Sequence, residues 1–137
     1  MLEREVIHRR LKKLDEYLTI LERLRRYSLS EFLSDPERYG STERFLQSAI
    51  EATLDVGSYV IAELELGTVQ TYGDIPQILA KSEYVNLELA NRWMRMIGFR
   101  NILVHEYLDV DRKIVYDVLQ NRLEDLHFLK ETLAQFL

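Results

Sequence analysis

Two prolines and five glycines in 137 residues leave this chain few places to turn. Between them apolar residues recur at steps of three and four, and no segment shows the clean two-residue alternation of a half-buried strand. Ile7, Leu11, Leu14, Leu18 and Leu21 form the clearest stripe, which ends in a polar edge at Arg25 and predicts a helix from Leu2 to about Arg26. SLSEFLSDPERYG reads as a connection, with Asp35 a plausible N-cap and Pro36 in the favoured first helical position. A second long helix is expected from about Ser41 to Leu66, with Phe45, Ala49, Ala52, Val56, Tyr59, Val60 and Glu63 on one face and Gly67 as its stop. Residues 67–86 are the least regular part and hold a short helix from Asp74 to about Lys81, where Pro76 fits the first turn.

A third long helix is expected from about Leu87 to Tyr107, with Leu87, Ala90, Met94, Ile97, Val104 and Leu108 as its apolar stripe. Asp109 or Asp111 then caps a fourth, from about Arg112 to Phe136, with Ile114, Val118, Leu123 (or Leu119), Leu126 and Leu129 inward. Four long helices with short connections are an all-α, up-and-down four-helix bundle with a short extra helix, and residues 1–137 make one domain. A chain of this length can bury roughly two-thirds of the surface its unfolded form exposes, so a core without staples is feasible.

Composition narrows what such a bundle does. The absence of cysteine removes disulfides, thiolate nucleophiles and zinc–thiolate sites, and suits a reducing cytoplasm. MLEREVIHRRLKKLDEY carries charges throughout and no run of signal-peptide type, and no stretch approaches the roughly 20 apolar residues that span a bilayer. The expectation is a cytoplasmic protein with no membrane partner. A net charge of −5 argues against a general nucleic-acid coat but permits a local basic site. Residues 91–113 supply a candidate, with five Lys or Arg against three Asp or Glu; Arg92, Arg95, Arg112 and Lys113 are its possible contacts to RNA or a partner. The run RRLKK at residues 9–13 reads instead as a solvated helix face.

FRNILVHEY, residues 99–107, is the stretch with chemistry in it. Asn101 falls inside the expected apolar stripe. On an unbroken helix it lies about 40° around the axis from His105, one turn on, while Arg100 and His105 are separated by about 140°. A long Arg side chain bridges that angle, or the helix breaks near His105. Histidine exchanges protons near neutral pH, and arginine holds a phosphate bidentately and stabilises charge building on it. The pair suits cleavage of an RNA phosphodiester by its own 2′-hydroxyl, with no metal or cofactor. Asn101 would orient the His ring or hold a phosphate oxygen.

Two other features of the sequence carry less chemistry. Glu124-x-x-His127 has the spacing of a di-iron half-site, but such a site needs a second copy and two more carboxylates, and Glu5-x-x-His8 sits at a chain end, so no metal is expected. Tyr59, Tyr72, Tyr84, Trp93 and Phe99 are expected to pack in the core or at an interface, although Trp93, two turns before Arg100, is placed to line a cleft.

Arg100, four residues, His105, one residue and Tyr107 reproduce the Arg-x(4)-His-x-Tyr pattern, and the chain resembles HepT toxins of the HEPN superfamily in this motif, in the LQSAIEATLDVGSYVIAE and RNILVHEYLDVD blocks and in helix order. The resemblance implies a metal-independent ribonuclease, the toxin of a toxin–antitoxin pair, in which Arg100 and His105 are catalytic. It implies a homodimer with the two Arg–His sites facing a shared cleft. Its partner would be an MntA-like nucleotidyltransferase that silences the toxin by moving AMP from ATP onto Tyr107. The alternative is a non-catalytic nucleotide- or RNA-binding subunit of such a nucleotidyltransferase.

Overall fold

The computed structural model describes residues 2–106 and 108–137. Among them are seven α-helices: α1 (Arg4–Leu24), α2 (Leu29–Ser34), α3 (Pro36–Glu63), α4 (Asp74–Lys81), α5 (Leu87–His105), α6 (Arg112–Asn121) and α7 (Leu123–Leu133), followed by a 3₁₀ turn at Ala134–Phe136. The long helix α3 is central and packs against every other α-helix. α1, α3, α5 and the α6–α7 pair occupy the four bundle positions, and α4 lies against α3 and α5.

The stripe of α1 is buried as its spacing dictates: Ile7, Leu11, Leu14, Leu18 and Leu21 all face the core. After it the expected connection folds further. Ser28 and Glu31 make a reciprocal capping box, in which Ser28 Oγ accepts the Glu31 N–H at 3.2 Å and Glu31 Oε1 accepts the Ser28 N–H at 2.9 Å. The resulting helix α2 buries Phe32 against the rings of Tyr116 and Tyr39. Asp35 caps α3 through the Glu37 N–H at 2.9 Å with Pro36 in its first turn, so this helix starts five residues before the expected Ser41.

α3 also stops earlier than expected, at Glu63. Glu65, not Gly67, takes the left-handed backbone (φ 53°), and the Leu66 N–H reaches back to the Ile61 carbonyl at 3.0 Å. Gly57 is needed for packing. A Cβ there would stand 2.5 Å from Ile75 Cγ2 and 3.1 Å from Trp93 Cη2, so its absence lets α4 and α5 close on α3. Trp93 is fully buried, and its Nε1–H donates to Thr53 Oγ1 at 2.9 Å. It is therefore a core residue and lines no cleft.

Two stripes fall elsewhere than the sequence reading puts them. α5 buries Leu89, Ala90, Trp93, Met96, Ile97, Phe99 and Leu103, while Leu87 and Leu108 are 74% and 81% exposed. α5 packs on α3, α4 and α7, so apolar residues surround it and a single stripe is not uniquely readable. The expected fourth helix divides at Arg122 (φ −120°, ψ 0°). That break lets α6 lie on α2 and α3 while α7 packs on α1, α3 and α5. It also leaves Ile114 55% exposed and puts Val115 in the core in its place.

Candidate active site

α5 runs unbroken through Arg100 and Asn101 and ends at His105; the next residue, Glu106, leaves helical geometry (φ −125°, ψ 31°). The helix therefore does not break before the histidine. Its last turns border a groove of about 620 Å³ whose other wall is the 69–73 segment. Arg100, Asn101 and His105 all line this groove, so the 140° between Arg100 and His105 is spanned by the length of the arginine.

Arg100 is held on three sides. Glu51 Oε2, from the middle of α3, accepts from Arg100 Nη2 at 2.7 Å and from Nε at 3.1 Å. Asn101 Oδ1 accepts from Nη1 at 3.2 Å. The Tyr72 ring lies under the guanidinium, 4.9 Å from centroid to Cζ. The Arg100 side chain is only 12% exposed, and three of its five N–H groups are taken, which leaves two for an incoming anion. Asn101 thus works on Arg100; no hydrogen bond joins it to His105 among the described residues. The His105 ring is exposed at the groove edge, open to a ligand.

The opposite wall is shaped by Asp74, the first residue of α4. Its Oδ2 accepts the Gln70 and Thr71 N–H groups at 2.9 and 3.0 Å. Those bonds, led by Thr71, hold the carboxyl below its ordinary pKa and fix the turn that presents Tyr72. A Cβ added at Gly73 would stand 3.2 Å from Met94 Cε, so wall and helix meet closely.

The other candidate contacts stand apart. Arg92 pins α5 to α7, with Nη2 on Glu88 Oε1 at 2.7 Å and Nη1 on the buried Asp125 at 3.1 Å. Asp125 foremost raises the Arg92 pKa. Arg95 borders a small hollow with Met96, Val118 and Arg122. Arg112 lies over the Tyr39 ring at 4.1 Å and 3.8 Å from Glu43, whose carboxyl burial pushes up. Lys113 is exposed on α6. None of the four lines the Arg100 groove. Tyr107 lies outside the described residues.

The histidines of the two Glu-x-x-His pairs take no common site. His127 Nε2 meets Glu22 at 3.0 Å while Glu124 meets Arg25 at 3.4 Å. Among the described residues no group of three or more His, Asp or Glu is placed to hold a metal ion. Sequence reasoning missed Glu51, 49 residues from its partner. The available signal was weak: Glu51 and Asp55 are the only charges in the stretch from Gln47 to Ala62, one helical turn apart.

An all-α bundle that presents an oriented Arg and an exposed His on the last turns of α5 defines a narrow class of protein. The family model for ribonuclease HepT-like proteins matches residues 11–133. The chain belongs to the HepT-like ribonuclease family. It is 32% identical over 123 residues to the tRNA nuclease HepT of Aphanizomenon flos-aquae, covering 90% of this chain and 84% of that one. It is 32% identical over 96 residues to the mRNA nuclease HepT of Shewanella oneidensis, covering 70% and 72%. Its fold matches the tri-AMPylated Shewanella oneidensis HEPN toxin, solved in complex with MNT antitoxin, with a TM-score of 0.87 at 25% identity over 95% of this chain and 97% of that one. No helix among the described residues is long and apolar enough to cross a membrane.

Proposed function

We propose that this chain cleaves RNA at the Arg100–His105 groove, as the toxin of a toxin–antitoxin pair. The observation that carries the reading is the pre-set arginine: Glu51, Asn101 and Tyr72 hold its guanidinium, two of its N–H groups meet no acceptor among the described residues, and its side chain lines the same groove as His105. A scissile phosphate seated on those N–H groups places the ribose 2′-hydroxyl within reach of an imidazole. His105 accepts the 2′-OH proton as that oxygen attacks phosphorus, Arg100 stabilises the charge gathering on the phosphorane oxygens, and the 5′-oxygen leaves as it takes a proton. The products are a 2′,3′-cyclic phosphate and a 5′-hydroxyl. Base, acid and phosphate holder are all protein side chains, so the chemistry requires no metal.

The functional unit of this reading is a homodimer. A second copy across a two-fold axis brings a second His105 into a shared cleft, so one imidazole can serve as base and the other as acid. Exposed Ile102 and Leu108, on either side of His105 in the chain, are apolar residues that a second copy would cover. Silencing falls to an MntA-like nucleotidyltransferase that transfers AMP from ATP onto Tyr107, two residues past the histidine. Family membership and the AMPylated relative support that step. Each AMP adds bulk and negative charge close in sequence to Arg100, where it competes with RNA phosphate for the guanidinium.

The test is cleavage of RNA in EDTA by protein expressed without its partner, with mass spectrometry showing Tyr107 bare, beside His105→Ala. Cleavage by the parent and not the variant is expected. A folded, unmodified parent that binds RNA and cuts none would establish the non-catalytic binding subunit instead.

A further inference from the structure

The run at residues 9–13 is the solvated face expected of it, with Arg9, Arg10, Lys12 and Lys13 exposed, and it also borders a groove. Arg9, Arg10 and Lys13 of α1 line a second groove of about 520 Å³, and Arg44 faces them from α3. Two carboxylates share the groove, and both have cation partners: Asp55 lies 3.4 Å from Arg10, and Glu51 is the acceptor for Arg100. Glu51 therefore belongs to both places. It lines this second groove and grips the arginine that lines the first, so the two grooves adjoin through one ion pair.

The remaining cations are weakly engaged. Arg44 meets no hydrogen-bond or ion-pair partner among the described residues. Arg9 is 3.9 Å from Glu5 and Lys13 is 3.3 Å from Glu16, both on exposed α1 surface where such pairs contribute little. A protein of net charge −5 thus gathers four cations in one trough beside its candidate active site. A polyanion that runs past Arg100 meets them next, and a chain of phosphates has the required charge and length.

We propose that the α1–α3 groove is a binding track for the backbone of single-stranded RNA, in which Arg9, Lys13 and Arg44 hold phosphates flanking the one cleaved at Arg100. The inference rests on the ribonuclease reading above. Contacts of this kind are independent of sequence and set the salt dependence of binding.

The experiment is equilibrium binding of a fluorescein-labelled 12-nucleotide single-stranded RNA of mixed sequence to the full-length protein, by anisotropy from 50 to 200 mM salt. All proteins carry His105→Ala so that nothing is cut. The triple variant Arg9→Ala/Lys13→Ala/Arg44→Ala is compared with a charge-matched control, Arg23→Ala/Lys81→Ala/Arg122→Ala, at exposed positions outside both grooves, and far-UV circular dichroism establishes that both are folded. Loss of three phosphate contacts at about 0.7 each makes the slope of log K against log salt shallower by about 2, and the control leaves it near the parent value. A second readout with His105 intact compares this RNA with a uridine–adenosine dinucleotide. The groove predicts that the longer substrate's advantage in kcat/KM collapses in the groove triple.

An unchanged slope, an equal loss in the control triple, or lost self-association or partner binding with RNA binding intact overturns the proposal. RNA held by the groove yet uncut with His105 present overturns the ribonuclease reading and leaves the track standing. RNA cut equally well by the groove triple does the reverse.

Discussion

Glu51→Ala tests whether the site is pre-set. Glu51 Oε2 accepts two hydrogen bonds from Arg100, and its removal leaves the guanidinium with Asn101 and the Tyr72 ring alone. An arginine released in this way regains up to about 1.5–2 kcal/mol of rotamer entropy, which must be surrendered again in the transition state. At about 1.4 kcal/mol per tenfold, kcat falls about 10- to 30-fold. KM moves the other way. A carboxylate taken away from about 6 Å of the incoming phosphate, at an effective dielectric between that of protein surface and water, removes a repulsion of about 1 kcal/mol, so the ground state binds up to about fivefold tighter. Glu51→Gln keeps an acceptor oxygen without the charge and falls between parent and Ala in kcat. The assay is steady-state cleavage of a fluorogenic RNA in EDTA, with a thermal melt beside it to show the variants folded. An unchanged kcat, or a loss confined to KM, refutes the positioning role.

Three further outcomes follow from other contacts. Thr53→Val keeps the shape of a fully buried side chain but strands the Trp93 Nε1–H, at about 1–3 kcal/mol, so the thermal midpoint drops by several degrees; an unchanged midpoint contradicts the buried bond. Tyr72→Ala removes the face under Arg100, an interaction of about 0.5–1 kcal/mol at a partly exposed site, and lowers kcat about two- to fivefold; Tyr72→Phe, which keeps a ring, stays near the parent. Asp74 has its pKa lowered by the Thr71 and Gln70 N–H groups, so its folded form binds fewer protons than its unfolded form. Its support for the groove wall is complete above the ordinary carboxylate pKa and is lost as pH falls through the folded value. Hydrogen exchange at the Gln70 and Thr71 amides should accelerate in acid beyond the intrinsic pH trend, and Asp74→Ala should show that acceleration at neutral pH.

The bundle was legible where one helix face alone is buried. α1 packs mainly on α3, so its five-residue stripe reads directly from the spacing. α5 did not read so cleanly, because partners on several sides bury residues all around it, and the expected stripe took in Leu87 and Leu108, both exposed. Asn101 lies off the buried face for the same reason. It interrupts no buried stripe; it stands on the exposed side and matters because its oxygen meets Arg100. The division at Arg122 carries no proline or glycine to announce it and follows from the different surfaces α6 and α7 must cover.

The grouping of Arg100, Asn101 and His105 at one groove was legible because the three lie within two turns of one helix. Its support was not. Glu51 and Tyr72 come from segments 49 and 28 positions earlier, and only the packing of α3 and of the 69–73 turn against α5 brings them to the arginine. The expected basic cluster dispersed for a related reason: Arg92 and Arg112 turn toward carboxylates on other helices, which nearness in sequence conceals. The cations of the α1–α3 groove gather from two helices in the same long-range way.

The end groups of cleaved RNA test the central claim most directly. Attack by the 2′-hydroxyl through His105 and Arg100 predicts 2′,3′-cyclic phosphate and 5′-hydroxyl termini, with both absent when His105→Ala replaces the parent. Products ending in 3′-hydroxyl and 5′-phosphate, or the same cyclic termini from His105→Ala at the parent's rate, would contradict it.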